Sequence, residues 1–65
     1  MLIRYRYAFV KEGTATEWIE LPLKQAQAVA RKIFKCNFAL WNLLLKQNKI
    51  QIRSQKFING YWLYQ

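Results

Sequence analysis

The alternation of apolar and polar positions changes period twice along the chain, and each change marks a new element. From Leu2 to Val10 (LIRYRYAFV) the period is two, with Ile3, Tyr5, Tyr7 and Phe9 on one face and Arg4, Arg6 and Ala8 on the other, as in a strand. Lys11, Glu12, Gly13 and Thr14 make a turn, in which Gly13 is suited to a positive φ. Thr16 to Leu21 reads as the returning strand and carries Trp18 and Ile19. A turn centred on Glu12-Gly13 predicts Tyr7 opposite Trp18, a favourable aromatic cross-strand pair.

From Leu21 the spacing becomes helical. Leu23, Ala26, Ala30, Ile33 and Phe34 fall on one face, with Lys24, Arg31 and Lys35 opposite. Phe38, Trp41, Leu44 and Leu45 continue inward, leaving Ala39, Asn42, Lys46 and Lys49 outward. Pro22 suits a helix start, because its missing N–H is not needed there. A helix unbroken to Lys49 runs about 40 Å, whereas a sphere of this chain length spans roughly 28 Å. Asn is a poor interior helix residue and a good N-cap, so Cys36-Asn37 is the natural break. The pattern predicts helices over Leu23–Lys35 and Phe38–Asn48, with one long helix as the alternative.

After Lys49 the period returns to two. Ile50, Ile52 and Ser54 alternate with Gln51, Arg53 and Gln55, and Asn59-Gly60 separates Phe57-Ile58 from Tyr61-Trp62. Asn-Gly between such runs is the signature of a hairpin with a type I′ turn, pairing Ile58 with Tyr61 and Phe57 with Trp62. The reading is a single α+β domain over residues 1–65. An N-terminal β-hairpin, a helical middle (helix-turn-helix or one long helix) and a C-terminal β-hairpin with an Asn-Gly turn give a winged-helix-like order.

Composition narrows the chemistry. A chain of 65 residues buries about 60% of its unfolded surface, and 54% hydrophobic and 17% aromatic residues supply a core without staples. Cys36 is the one cysteine, and His and Asp are absent, so neither an internal disulfide nor a zinc site is expected, and no cofactor. Without His there is no proton-transfer group near neutral pH, and Ser54 and Cys36 lack a base at recognisable spacing. Cys36 beside Lys35 reads as a small buried hydrophobe. The chain is read as no enzyme. Arg4 and Arg6 interrupt the first apolar run, and Phe38 to Leu45 is far shorter than the ~20 residues of a membrane span. A soluble, cytoplasmic protein without a membrane partner is expected.

Charge changes the picture most. The net charge is +8. Arg4, Arg6 and Lys11 balance Glu12, Glu17 and Glu20, whereas Lys24, Arg31, Lys32, Lys35, Lys46, Lys49, Arg53 and Lys56 face no acid from Leu21 onward. A one-sided field of this kind attracts polyanions. Nucleic acid is the expected partner, DNA ahead of RNA. Asn42 is suited to an adenine edge, and Lys46 to guanine or phosphate. Arg31, Lys35, Arg53 and Lys56 are candidates for phosphates, with Lys49 on the same basic surface. An RNA reading uses Tyr5, Tyr7 and Trp62 as stacking residues. The rival class is a small interaction or inhibitor protein that meets an acidic or apolar surface, or a second copy, through Phe38, Leu40 and Leu43 of the second helix.

Ala30 to Tyr64 also resembles the small excisionase and MerR-like DNA-binding domains. Ala30, Ile33, Phe34, Cys36 and Asn37 match their first helix and capped turn. Trp41, Leu44, Leu45, Lys46, Asn48, Lys49 and Ile50 are similar to the end of their second helix, and Ile58-Asn59-Gly60-Tyr61-Trp62 to their wing tip. The match covers about half the chain. Lys35 stands in place of the turn glycine, Phe38 and Leu43 replace groove-facing arginine or hydroxyl residues, and the N-terminal hairpin is additional. The resemblance implies DNA binding in recombination or transcriptional control.

Overall fold

The computed structural model describes residues 4–65; Leu2 and Ile3 of the expected first strand lie outside them. In chain order these residues form β1 (Arg4–Lys11), β2 (Thr14–Ala15), α1 (Leu23–Ile33), α2 (Phe38–Lys46), β3 (Ile50–Ile58) and β4 (Tyr61–Tyr64). The strands make one antiparallel sheet in the order β2-β1-β3-β4. The helices cover one of its faces. The result is the expected α+β class, and the helical middle is two helices.

Each helix begins and ends for a local reason. Ala26 N–H reaches Pro22 O at 2.8 Å, which places Pro22 at the start of α1. The Asn37 side chain caps α2 by accepting from Leu40 N–H at 2.7 Å. At the end of α1, Lys35 N–H donates to Lys32 O and Cys36 N–H to Arg31 O; at the end of α2, Asn48 N–H donates to Leu45 O and Lys49 N–H to Leu44 O. Both are Schellman pairs, which require a left-handed residue. Lys35 (φ 55°) and Asn48 (φ 56°) supply it. The helices therefore stop about two residues earlier than the periodicity predicts. The molecule measures 37 × 20 × 18 Å, longer than the sphere used to argue for the break. The helical run is interrupted because of the Lys35 turn, not for want of room.

The core lies between the sheet and the helices. Phe9, Ala26, Ala30, Trp41 and Ile50 are buried, with Tyr7, Ile19, Phe34, Cys36, Leu44 and Leu45 packed around them. Trp41 is enclosed, edge-on to Phe9 (centroids 5.7 Å apart) and stacked on Phe34 (6.5 Å), with its Nε1 donating to Gln27 Oε1 at 3.0 Å. Ala26 and Ala30 let α1 approach closely. Three expected core residues face outward instead: Leu23, Ile33 and, at 66% exposure, Phe38. A helix of nine residues has room for few inward positions, and Trp41, Leu44 and Leu45 fill them.

In the sheet, β3 pairs with β1 along eight positions, from Arg4↔Phe57 to Lys11↔Ile50. The C-terminal hairpin pairs as its sequence predicts, Ile58↔Tyr61 and Phe57↔Trp62, across Asn59 (φ 50°) and Gly60 (φ 83°), both positive as type I′ requires. The N-terminal hairpin departs from expectation. It starts in register, Lys11↔Thr14 and Val10↔Ala15, but Tyr7 then pairs with Ile19. Glu17 and Trp18 together oppose Ala8, which is a β-bulge. Regular pairing ends at Ala15 instead of continuing through Leu21.

Candidate nucleic-acid interface

The sheet alternates its side chains, so its two faces carry different chemistry. Tyr5, Tyr7, Phe9, Ile50, Ile52, Ser54 and Lys56 point to the helix side. Arg4, Arg6, Ala8, Arg53, Gln55, Phe57 and Trp62 point to the helix-free side.

On the helix-free side, cations and rings interleave. The Arg6 guanidinium lies 4.0 Å from the Trp62 centroid and 4.9 Å from that of Trp18, and its Nε donates to Gln55 Oε1 at 2.7 Å. Arg4 lies over Phe57 (4.9 Å) and Trp62 (5.3 Å), and grips Glu20 with both Nε, at 2.7 Å, and Nη2. That pairing holds the Glu20 carboxyl below its ordinary range and raises Arg4, through the shared hydrogen bond first and the charge attraction after it. Trp18 meets Tyr64, and Phe57 meets Trp62, edge to face. Gln55, 6% exposed, is enclosed beneath the cluster. These rings and guanidinium groups occupy one another, so the face serves as a second small core. The alternation of Arg4 and Arg6 with the Phe57–Trp62 pair carried the signal for it; the bulge that brings in Trp18 carried none.

The RNA stacking residues expected together are separated. Tyr5 and Tyr7 lie under the helix layer or at its margin, and Trp62 lies on the opposite face, already covered by Arg6.

The helix layer has the opposite character. Lys24, Lys32, Lys35, Lys46 and Lys49 are exposed and Arg31 is half-buried. Among the described residues the ion pairs are Arg4–Glu20 and Lys11–Glu12, so none of these six cations meets a carboxylate. Phe38, Asn42 and Lys46, four residues apart, form one exposed stripe of α2. Arg31 reaches this stripe from α1, its guanidinium 5.3 Å from the Phe38 centroid. Lys35 lies in the turn between the helices, and Lys49 just beyond α2. The two strand candidates do not act as a pair. Arg53 is exposed on the helix-free face opposite Ala8, whereas Lys56 is half-buried on the helix side, 5.9 Å from the Tyr5 centroid. Both lie on β3, an interior strand, where an exposed hairpin wing was expected.

Five of the seven candidates, Arg31, Lys35, Asn42, Lys46 and Lys49, thus belong to the helix layer, Lys56 borders it, and Arg53 is on the far side. Cys36 is half-buried, its Sγ 3.5 Å from Phe34 O. Among the described residues no helix is long and apolar enough to cross a membrane. A scan against protein-family models and searches of curated proteins and of solved structures return no match.

Proposed function

We propose that this chain is a small non-enzymatic nucleic-acid-binding protein that meets duplex DNA with its helix layer. The observation that carries the reading is the unopposed charge of that layer: six cations on α1, the turn, α2 and the residue Lys49 just beyond it, with every glutamate confined to the N-terminal hairpin segment. Cations without partners are free to displace the counterions condensed on a phosphate backbone. Lys35, at the turn, and Arg31 serve phosphates. Asn42 and Lys46, on the exposed stripe of α2, serve base edges in the major groove. In this reading α1–turn–α2 acts as a helix-turn-helix and β3–β4 as its wing, with Lys56 the wing residue on the same side. An accessory role in recombination or transcription follows from the family resemblance.

A second reading has its own support. Phe38, Leu40, Leu43 and Ile33 leave an apolar surface among the same cations, the composition of a site for an acidic, partly apolar protein surface. Titration against duplex DNA, single strands and RNA at ~50 and ~200 mM salt separates the two. Four to six phosphate contacts give a loss of about two or more decades in affinity over that range. Binding that is absent at low salt, or indifferent to salt, removes the nucleic-acid reading in favour of the protein partner.

A further inference from the structure

The sheet has two edges, and they are unlike. At one, β2 is two residues long, paired at its start with Lys11 and set between Glu12 of the turn and Glu17. At the other, β4 is Tyr61-Trp62-Leu63-Tyr64, with no charge, no proline and no bulge, and among the described residues no element covers it. Tyr61, Leu63 and Tyr64 are 71%, 51% and 67% exposed. Natural sheets guard such an edge with charge, proline or a short strand, because its free N–H and C=O groups recruit another strand.

The register fixes which groups are free. Gln65 N–H donates to Ser54 O at 3.2 Å, and Ile58↔Tyr61 closes a two-residue turn. In an antiparallel ladder, bonded and unbonded pairs alternate, so the peptide groups of Tyr61 and Leu63 face β3 while those of Trp62 and Tyr64 face outward. Two outward residues separated by one are self-complementary. A second β4 turned by a two-fold axis through Leu63 brings Trp62 against Tyr64 of the other copy, and each pair exchanges two hydrogen bonds.

We infer that β4 is the interface of a two-fold dimer of this chain, in which the two sheets join into one of eight strands. Leu63 meets its own counterpart on the helix side. Trp62 and Tyr64 interleave on the helix-free side, which extends the Trp18–Arg6–Trp62 stack across the axis. The charge distribution favours a second copy at this place, because Phe57 to Gln65 contains no Lys, Arg, Asp or Glu. Two molecules of +8 charge thus approach with no cation on either β4, the nearest being Lys56, one strand back across from Leu63. The mismatch between β2 and β4 closes the assembly at two, since a head-to-tail fibre needs both edges.

Sedimentation equilibrium tests this on the full chain. A four-residue edge makes a small interface of the weak class, so the range runs from about 10 µM to about 1 mM, at low and high salt. The mass is expected to rise towards twice that of the monomer, and more readily at high salt, where self-repulsion is screened. Leu63→Lys places two ammonium groups face to face and raises the dissociation constant at least tenfold, as does Leu63→Glu with two carboxylates. Mixing the two variants restores association, because the opposed charges then pair across the axis. Circular dichroism checks that each variant keeps the monomer fold. A parent that stays monomeric throughout overturns the proposal, as do variants that associate like the parent. A mixture that fails to reassociate overturns the two-fold register through Leu63.

Discussion

Tyr7 and Ile19 exchange two backbone hydrogen bonds, Tyr7 N–H to Ile19 O at 2.9 Å and Ile19 N–H to Tyr7 O at 2.7 Å. Ile19 thereby faces the helices and Trp18 faces away from them. The switch is made at Thr16, whose Oγ1 accepts from Phe9 N–H at 3.0 Å where the carbonyl of a regular ladder would, and donates to Glu17 O at 2.9 Å. Thr16→Val keeps the shape and leaves the N–H of the fully buried Phe9 without its acceptor. A loss of about 1–3 kcal/mol is expected in urea unfolding, and Thr16→Ser recovers most of it.

Lys35 carries a Cβ in the left-handed region, where glycine has no steric penalty. Lys35→Gly is expected to stabilise the fold by about 0.5–1 kcal/mol while removing one phosphate contact. Thermal melts should rise as the salt slope of DNA binding falls by about one. A fall in stability would show that the Lys35 stem packs more than its backbone is strained.

Arg6 joins Trp18, Trp62 and Gln55. Arg6→Leu leaves the Gln55 amide enclosed without its donor and removes two cation–π contacts, an expected loss of about 1–3 kcal/mol. Arg6→Lys recovers little, because an ammonium lacks the planar fork that stacks and bonds at once. Chemical denaturation followed by Trp fluorescence reads both.

Glu20 titrates below the ordinary carboxylate range because Arg4 holds its charged form. A lowered folded-state pKa contributes stability above the unfolded value of about 4.3 and loses it as pH falls through the folded one. The stability gap between the parent and Glu20→Gln is therefore expected to be open at pH 7 and to close on acidification below about pH 4. A gap that stays constant down to pH 2 would mean that the pairing is not linked to protonation.

Position on the molecule divides the candidate binding residues. Asn42→Ala and Lys46→Ala should cost ~1–3 kcal/mol on a preferred duplex and little on others. Arg53→Ala, on the far face, should leave affinity and salt slope unchanged. If Arg53→Ala abolishes binding while the α2 variants bind as the parent, the nucleic acid lies on the helix-free face and the helix-turn-helix comparison fails.

What could be read in the chain was local. The Asn59-Gly60 hairpin followed from two residues that accept positive φ, and the interhelical break from the capping chemistry of Asn37. The exposure of Phe38 was not readable, because the apolar arc of α2 is too wide for period alone to choose its inward edge. Nor was the bulge, since one hydroxyl substituting for one carbonyl leaves no trace in hydropathy. The basic helix layer was legible as composition. Arg53 and Lys56 were not, because their faces depend on the pairing of β3 with β1.

That pairing ties the first described residues to the last quarter of the chain, Arg4 to Phe57 and Lys11 to Ile50. Every rung of the central ladder must close a loop that contains both helices, so its entropy is spent before any of its contacts form. During synthesis the N-terminal hairpin and the helices emerge with the β1 edge open and Phe9 only partly covered. Folding is then expected to wait for β3 and proceed in one cooperative step, slower than a helical chain of this length. A chain cut after Asn48 would keep the β1–β2 hairpin and the helices but lack β3, the strand that pairs along all of β1.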